Sequence, residues 1–203
     1  MLIYTPALRV LGNMFSGPNE LISLALQDPK LLPSLLRKLD DSSIGQKKEV
    51  AWVLSNLTAG SPEQVDAVVQ AGFVPVFSKL LRSATFDTKK EVAYAFANLC
   101  SSQKHFDSIF SAPISETAPI LEAFFMLMAS PDVDAILLSL QFVEFVLQNK
   151  PGLASAAESF SRFDIIEALQ YHSNPIVAEI ATRLNDKYFN HPGEVDEEAD
   201  GRN

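Results

Sequence analysis

An internal repeat with a period of 42 residues constrains the fold of this chain more than any other feature. Residues 47–57 read KKEVAWVLSNL, and residues 89–99 read KKEVAYAFANL. A partial earlier copy, TPALRVLGN at residues 5–13, places Asn13 43 residues before Asn56. A repeat of this length is one supersecondary unit, which buries its apolar face only against its neighbours. The sequence therefore predicts a stack of similar units.

A second marker keeps nearly the same period, since Pro33, Pro75 and Pro119 follow one another at intervals of 42 and 44 residues. Between the markers, apolar residues recur at steps of three and four, which is typical of α-helices and not of strands. Proline suits the first turn of a helix, where its missing N–H has no partner to lose. Each unit is thus predicted to hold a short first helix, a middle helix that begins near the proline, and a longer third helix that carries the repeated asparagine.

Three helices in a unit of about 42 residues are typical of armadillo repeats. We therefore expect an all-α fold, a right-handed armadillo-repeat α-solenoid with four complete units that end near residues 59, 102, 148 and 190, plus a leading partial unit. The solenoid is assigned to residues 1–190. Residues 191–203 carry five acidic side chains against one arginine and are predicted to be a disordered acidic tail.

Charge and composition exclude several classes of function. The 203 residues carry a net charge of −9, opposite to the charge that a general nucleic-acid-binding protein needs. No run of about 18 apolar residues predicts a membrane-spanning helix, so no membrane partner is expected. The single cysteine and three scattered histidines suggest neither a disulfide framework nor a metal site, and no cofactor is expected. No catalytic motif is present, so we predict that the chain is not an enzyme.

Three features of the sequence resemble importin-α, the nuclear-import adaptor family. They are TPALR at residues 5–9, NLTAG at residues 56–60 and the repeated pairs of an aromatic residue with asparagine. The similarity runs from residue 4 to about residue 189 and matches the C-terminal half of the adaptor. The sequence begins inside a third helix and lacks the basic segment by which family members bind importin-β. We therefore expect a fragment, or a protein that has lost that half, with importin-β as a partner only if a missing N-terminal segment exists.

The repeated pairs give the candidate binding site. Trp52 and Asn56 are four residues apart, so they share one face of a helix. An asparagine amide can bind the backbone of an extended peptide, and a tryptophan ring can pack on a lysine or arginine stem and attract its cation. Stacked third helices would align such pairs along a concave surface. The side chains that form this predicted series are here named the ladder residues: Arg9, Asn13, Trp52, Asn56, Tyr94 and Asn98.

Two acidic residues and a serine complete the candidate peptide-binding set. Glu49 and Glu91 each stand three residues before the aromatic position and could form a negative rim for basic side chains. Ser55 lies beside Asn56. A Lys-Lys-Glu run is usually just a solvated helix face, and a helical aromatic is usually a core residue. The repetition of the whole pattern favours binding.

Two positions depart from the family pattern. Tyr94 stands where the resemblance implies tryptophan, and tyrosine is the weaker partner for a cation. Asn19 stands where the family often has an acidic residue, whereas Arg9 agrees with the family. Both departures are expected to weaken binding at the family's second, minor peptide site.

The resemblance implies a nuclear-import adaptor fragment, present in cytoplasm and nucleus, that binds Lys/Arg-rich nuclear-localisation peptides in extended form. It also implies an export receptor as a partner at the last repeat. One alternative is an armadillo scaffold of the junction or signalling kind that binds other peptides and has no import role. Its groove for acidic peptides should be lined by lysine and arginine, but only Arg9 among the ladder residues is basic. Another alternative is an enzyme or regulatory subunit of some complex, in which the solenoid is purely structural.

Overall fold

The computed structural model describes residues 4–41 and 43–190, and these residues form α-helices and no strands. The helices of the leading partial unit and of the first two complete units are α1 (Tyr4–Phe15), α2 (Asn19–Ala25), α3 (Leu31–Asp41), α4 (Ile44–Thr58), α5 (Pro62–Gln70), α6 (Phe73–Ser83) and α7 (Phe86–Cys100). Those of the third and fourth units are α8 (Gln103–Phe110), α9 (Ile114–Met128), α10 (Val133–Asn149), α11 (Ala154–Ala157, after a 3-10 turn at Pro151–Leu153), α12 (Ile165–Leu169) and α13 (Pro175–Tyr188).

The predicted architecture of four three-helix units is confirmed. The third helices α4, α7, α10 and α13 end within two residues of the predicted unit ends. The fourth unit is abbreviated, because α11 has four residues and α12 five. The predicted acidic tail, residues 191–203, lies outside the described residues.

The N-caps of the third helices show where the repeat changes its period. These caps are Ser43, Thr85, Asp132 and Asn174, so the intervals are 42, 47 and 42 residues. Most of the five extra residues of the third unit lie in α9, which has 15 residues where α3 and α6 have 11. A residue of α10 is therefore equivalent to the residue of α7 that stands 47 positions earlier, and not 42.

The prediction that each middle helix begins near its proline is wrong for α9. Pro33 and Pro75 are the third residues of their helices, where a backbone N–H would have no helical partner. Pro119 is the sixth residue of α9, so its ring removes the hydrogen bond that would reach Ser115. The prediction failed because the helix extends upstream of the proline.

Successive third helices form the most closely packed layer of the first half of the solenoid. The backbones of α1 and α4, and of α4 and α7, approach each other closely, whereas neighbouring middle helices meet at fewer points. A stack that is packed more tightly on one side curves toward that side, so the third helices line the concave face. The stack loosens at the next junction, because α10 approaches α7 at only a few points.

Aromatic packing holds this looser junction. The buried apolar side chains of all the units form one continuous core. Within it, the ring of Phe142 on α10 stacks on Phe124 at 4.0 Å and lies 6.1 Å from Phe96 and 6.4 Å from Phe110. Phe142 thereby joins α10 to α9, α7 and α8.

Ion pairs connect the N-terminal ends of adjacent third helices. Lys48 lies 2.8 Å from a carboxylate oxygen of Asp87, and the equivalent Lys90 lies 2.7 Å from Asp132. The first pair is well exposed and contributes little to stability. The Lys90–Asp132 pair is more enclosed, with side-chain exposures of 19% and 31%, and fixes the start of α10 against α7.

We expect Phe142→Ala to destabilise the chain by about 3–5 kcal/mol, because it leaves a cavity where three aromatic contacts meet. Urea denaturation followed by circular dichroism measures the change. The exposed Met126, on α9, is the control, and Met126→Ala should cost less than about 0.5 kcal/mol. Equal effects of the two substitutions would contradict the central place of Phe142.

Candidate functional site

The third helices place the ladder residues at equivalent positions. Trp52 and Tyr94 each stand nine residues after the N-caps of α4 and α7, and Asn56 and Asn98 stand thirteen residues after them. A cavity of about 360 Å³ opens on this face. It is lined by Arg9, Asn13, Lys48, Glu49, Trp52 and Glu91. The structure thus brings five of the nine sequence-predicted residues around one opening.

The other four predicted residues lie beside this cavity, on α4 and α7. Asn56, Tyr94 and Asn98 are half-buried and continue the series toward the C-terminal ends of these helices. Ser55 is 8% exposed, and its single hydroxyl proton is shared between two acceptors, the Trp52 carbonyl at 2.9 Å and a Glu91 carboxylate oxygen at 3.1 Å. Ser55 is therefore a buried residue that helps to hold the Glu91 carboxylate at the cavity.

Trp52 is held by the backbone of the preceding third helix. Its side chain is half-buried, and its ring occupies the place where a Cβ at Gly12 would stand. Sequence reasoning did not single out Gly12. A signal was available, because glycine inside a helix is unfavourable and suggests a close approach. The glycine lets one side of the ring lie against α1.

The ladder asparagines bond to the helix before them. The side-chain amide of Asn56 donates to the Gly12 carbonyl at 3.1 Å, and that of Asn98 donates to the Ser55 carbonyl at 3.2 Å. In each case the acceptor is the residue just before the preceding ladder asparagine. The sequence analysis assigned these amides wholly to a peptide, but part of each amide bridges two third helices. The amide oxygens of Asn56 and Asn98 have no hydrogen-bond partner among the described residues.

The two glutamates of the site differ in their surroundings. Both guanidinium contacts of Arg9, at 3.0 and 2.7 Å, go to Glu49, whose side chain is only 17% exposed. Arg9 itself is 64% exposed and thus closes one edge of the cavity. Sequence reasoning missed this pair, which joins residues 40 positions apart.

Glu91, unlike Glu49, has no close ion-pair partner among the described residues. Burial raises the pKa of this carboxyl, against the opposing effects of the Ser55 hydrogen bond and of Lys90 and Lys48. Lys90 and Lys48 make their own ion pairs with aspartates. A half-buried carboxylate beside an indole ring is an arrangement that attracts a cation.

The series of aromatic–asparagine pairs does not continue beyond α7. Nine and thirteen residues after its N-cap, α10 carries Gln141 and Phe145 instead of an aromatic–asparagine pair. Asn19, at the start of α2, is exposed and accepts a hydrogen bond from Gln64 through its backbone carbonyl. Its side chain does not join the cavity.

No helix within the described ranges is long and apolar enough to cross a membrane. Within the same ranges, histidine, cysteine and carboxylate side chains form no group of three or more that could hold a metal ion. Cys100 is buried, and burial raises the pKa of its thiol.

The armadillo/β-catenin-like repeat family matches residues 61–101, which begin at the N-cap of α5 and end at the C-cap of α7. A solved, computationally designed armadillo repeat protein for modular peptide recognition aligns with 90% of this chain and 74% of its own, with a TM-score of 0.73 and 22% identity. The chain has the armadillo-repeat fold. A second designed armadillo repeat protein, solved in complex with the peptide (KR)4, aligns over the same shares with a TM-score of 0.67 and 24% identity.

Sequence relatives of this armadillo-repeat chain confirm its resemblance to importin-α. Importin subunit alpha-9 of Arabidopsis thaliana is 32% identical over 95% of the chain, and importin subunit alpha-2 of Oryza sativa subsp. japonica is 28% identical over the same share. The chain spans 39% of the length of each. These are the names of import subunits and not of enzymes, which agrees with the expected non-enzymatic role.

We expect Gly12→Ala to displace the Trp52 ring, because the added methyl group would overlap it. Such overpacking typically costs about 1–3 kcal/mol. The protein has one tryptophan, so a shift of its emission to longer wavelength reports the displacement directly. A methyl group added at Gly45 on α4 would meet no atom within 4 Å, so Gly45→Ala should leave the emission unchanged. An unchanged spectrum in Gly12→Ala would contradict the packing of Trp52 on α1.

We expect Glu91→Gln to raise the melting temperature at neutral pH. Burial raises the folded-state pKa of Glu91. The stabilising contribution of Glu91 to folding is therefore fully present below its unfolded-state pKa and is lost as pH rises through its folded-state pKa. The ionised residue therefore costs stability at pH 7. Allowing for solvent screening, we expect a gain of about one or two degrees, which disappears in acid.

Glu49→Gln is the matched control, because Glu49 is paired with Arg9. That substitution should lower the melting temperature slightly or leave it unchanged. Thermal melts of both variants at pH 7 and near pH 4 give the comparison. A stabilised Glu49→Gln together with a destabilised Glu91→Gln would reverse our assignment of the two carboxylates.

Proposed function

We propose that this chain binds Lys/Arg-rich nuclear-localisation peptides in extended form along the ladder residues, as part of a nuclear-import adaptor. One observation carries the proposal. The carboxylate of Glu91, which the described residues leave without an ion-pair partner, stands on the cavity that also holds the Trp52 ring. The names of the importin-α relatives support the import role, and the (KR)4 peptide of the designed neighbour is consistent with a basic ligand.

The site would recognise a basic side chain through two complementary groups. The Trp52 ring lies against α1 on one side, and its remaining exposed surface can cover the methylene stem of a lysine or arginine. Glu91 supplies the opposite charge at the same cavity. The amide oxygens of Asn56 and Asn98 are acceptors for the N–H groups of the peptide backbone. Because Arg9 already neutralises Glu49, the selective position lies between α4 and α7.

A groove for acidic peptides is less consistent with the charges. Three basic side chains on this face already form ion pairs with carboxylates: Arg9 with Glu49, Lys48 with Asp87 and Lys90 with Asp132. An acidic peptide would have to break one of these pairs and would also meet Glu91. The armadillo scaffold that binds acidic partners is therefore the weaker candidate. The proposed adaptor role also includes two partners, importin-β and an export receptor at the last repeat. It further includes shuttling between cytoplasm and nucleus.

We expect a peptide with a Lys-Arg pair to bind the full chain in the micromolar range or more weakly, and Trp52→Ala to weaken binding about tenfold. The substitution removes both packing and cation attraction, a loss of about 1–2 kcal/mol. Fluorescence anisotropy with a labelled peptide measures the affinity, which should fall with added salt. Tyr171→Ala is the matched control, because Tyr171 is 89% exposed and follows α12, away from the ladder.

Asn56→Ala should also weaken peptide binding, but it removes the bond to the Gly12 carbonyl as well. A thermal melt of this variant separates lost binding from lost folding. Preferential binding of an acidic peptide, or unchanged affinity in Trp52→Ala, would reject the proposed groove.

A further inference from the structure

A second groove opens on the concave side where the ladder ends. It lies between α7 and α10, has a volume of about 290 Å³ and contains no charged side chain. It is lined by Ala97, Ser101, Leu138, Gln141, Phe142 and Phe145. Leu138 and Phe145 are half-buried, so part of their apolar surface is open to a ligand.

The groove exists because the asparagine bridge is missing at this junction. Between α1 and α4, and between α4 and α7, a ladder asparagine donates to a carbonyl of the preceding helix. The equivalent position on α10 is Phe145, which has no donor for the Ala97 carbonyl. Its ring packs edge-on against Phe106 of α8, with the centroids 5.1 Å apart. The third helices are therefore less closely joined here, and space remains between them.

The groove is continuous with the ladder. Ala97 and Ser101 stand on either side of Asn98, the last ladder residue, so a peptide whose backbone reaches Asn98 passes the groove next. The lining of the groove holds no carboxylate, and the acidic side chains of α10 elsewhere lie near cations: Glu144 beside Arg183, and Asp132 and Asp134 beside Lys90, at 2.7 and 3.9 Å. A second basic side chain would find no free carboxylate in this groove, whereas an apolar side chain would bury surface against Leu138 and Phe145.

We propose that this α7–α10 groove seats an apolar side chain, such as leucine, of the same peptide whose basic side chain binds between Trp52 and Glu91. This inference rests on the proposed function and narrows its ligand to peptides that combine a basic pair with an apolar residue. Adjacent helices are about 8–10 Å apart, and an extended chain advances about 3.3 Å per residue. The two side chains are therefore about three residues apart in the peptide.

The experiment compares labelled peptides that contain one Lys-Arg pair and either leucine or serine at each position two to five residues away, on both sides. Anisotropy titrations with the full chain should show a leucine-over-serine gain of about fivefold, confined to one or two adjacent positions on one side. Gln141→Glu puts a charge into the groove from an exposed position and should reduce that ratio to about one. Gln70→Glu, an exposed site at the end of α5, is the matched control and should preserve the ratio.

Phe145→Asn gives a second test, because it replaces the ring that the leucine would cover with a polar ladder asparagine and should abolish the leucine gain. A leucine gain that is absent in the wild type, or that survives in both Gln141→Glu and Phe145→Asn, would overturn this inference. The proposed function would still stand if the serine peptide bound in a Trp52-dependent way. If no peptide bound in a Trp52-dependent way, the proposed function itself would be rejected.

Discussion

The close stacking of one third helix on the next is the constraint on which the rest of this structure depends. At the first two junctions it is fixed by directional bonds, from Asn56 to the Gly12 carbonyl and from Asn98 to the Ser55 carbonyl. Small side chains make this approach possible, and Gly12 under the Trp52 ring is the extreme case. Because a unit of this size cannot bury its apolar face alone, these junctions are also where the core is built.

The same residues serve the stack and the proposed site, so the two roles are physically coupled. Trp52 is packed on α1 by one side of its ring, which fixes the orientation of the remainder before any ligand arrives. A group held in place in this way loses little conformational freedom on binding. Glu91 differs from Trp52 in this respect. Its burial opposes ionisation in the free protein, yet the ionised carboxylate is the form that would attract a cation. The site thus combines a rigid ring with a carboxylate that gains from a partner.

The sequence was sufficient to predict the units and the ladder positions, because a helical period repeated every 42 residues must present the same face each time. It was not sufficient where the outcome depends on contacts between units. The Arg9–Glu49 pair joins two helices through side-chain conformations that spacing does not specify. The longer α9 escaped prediction because Pro119 was interpreted as a helix start. The equivalence of Phe145 with Asn98 became visible only when the N-caps showed the interval of 47 residues.

The junction between α7 and α10 has a mechanical consequence. One end is pinned by the Lys90–Asp132 pair, while the other lacks an asparagine bridge and is filled by aromatic rings. Apolar contact is non-directional, so rings can slide over one another at a smaller cost than that of breaking a directional bond. Any change in the curvature of the superhelix would therefore cost the least free energy at this joint, because the first two junctions would have to break an asparagine bridge.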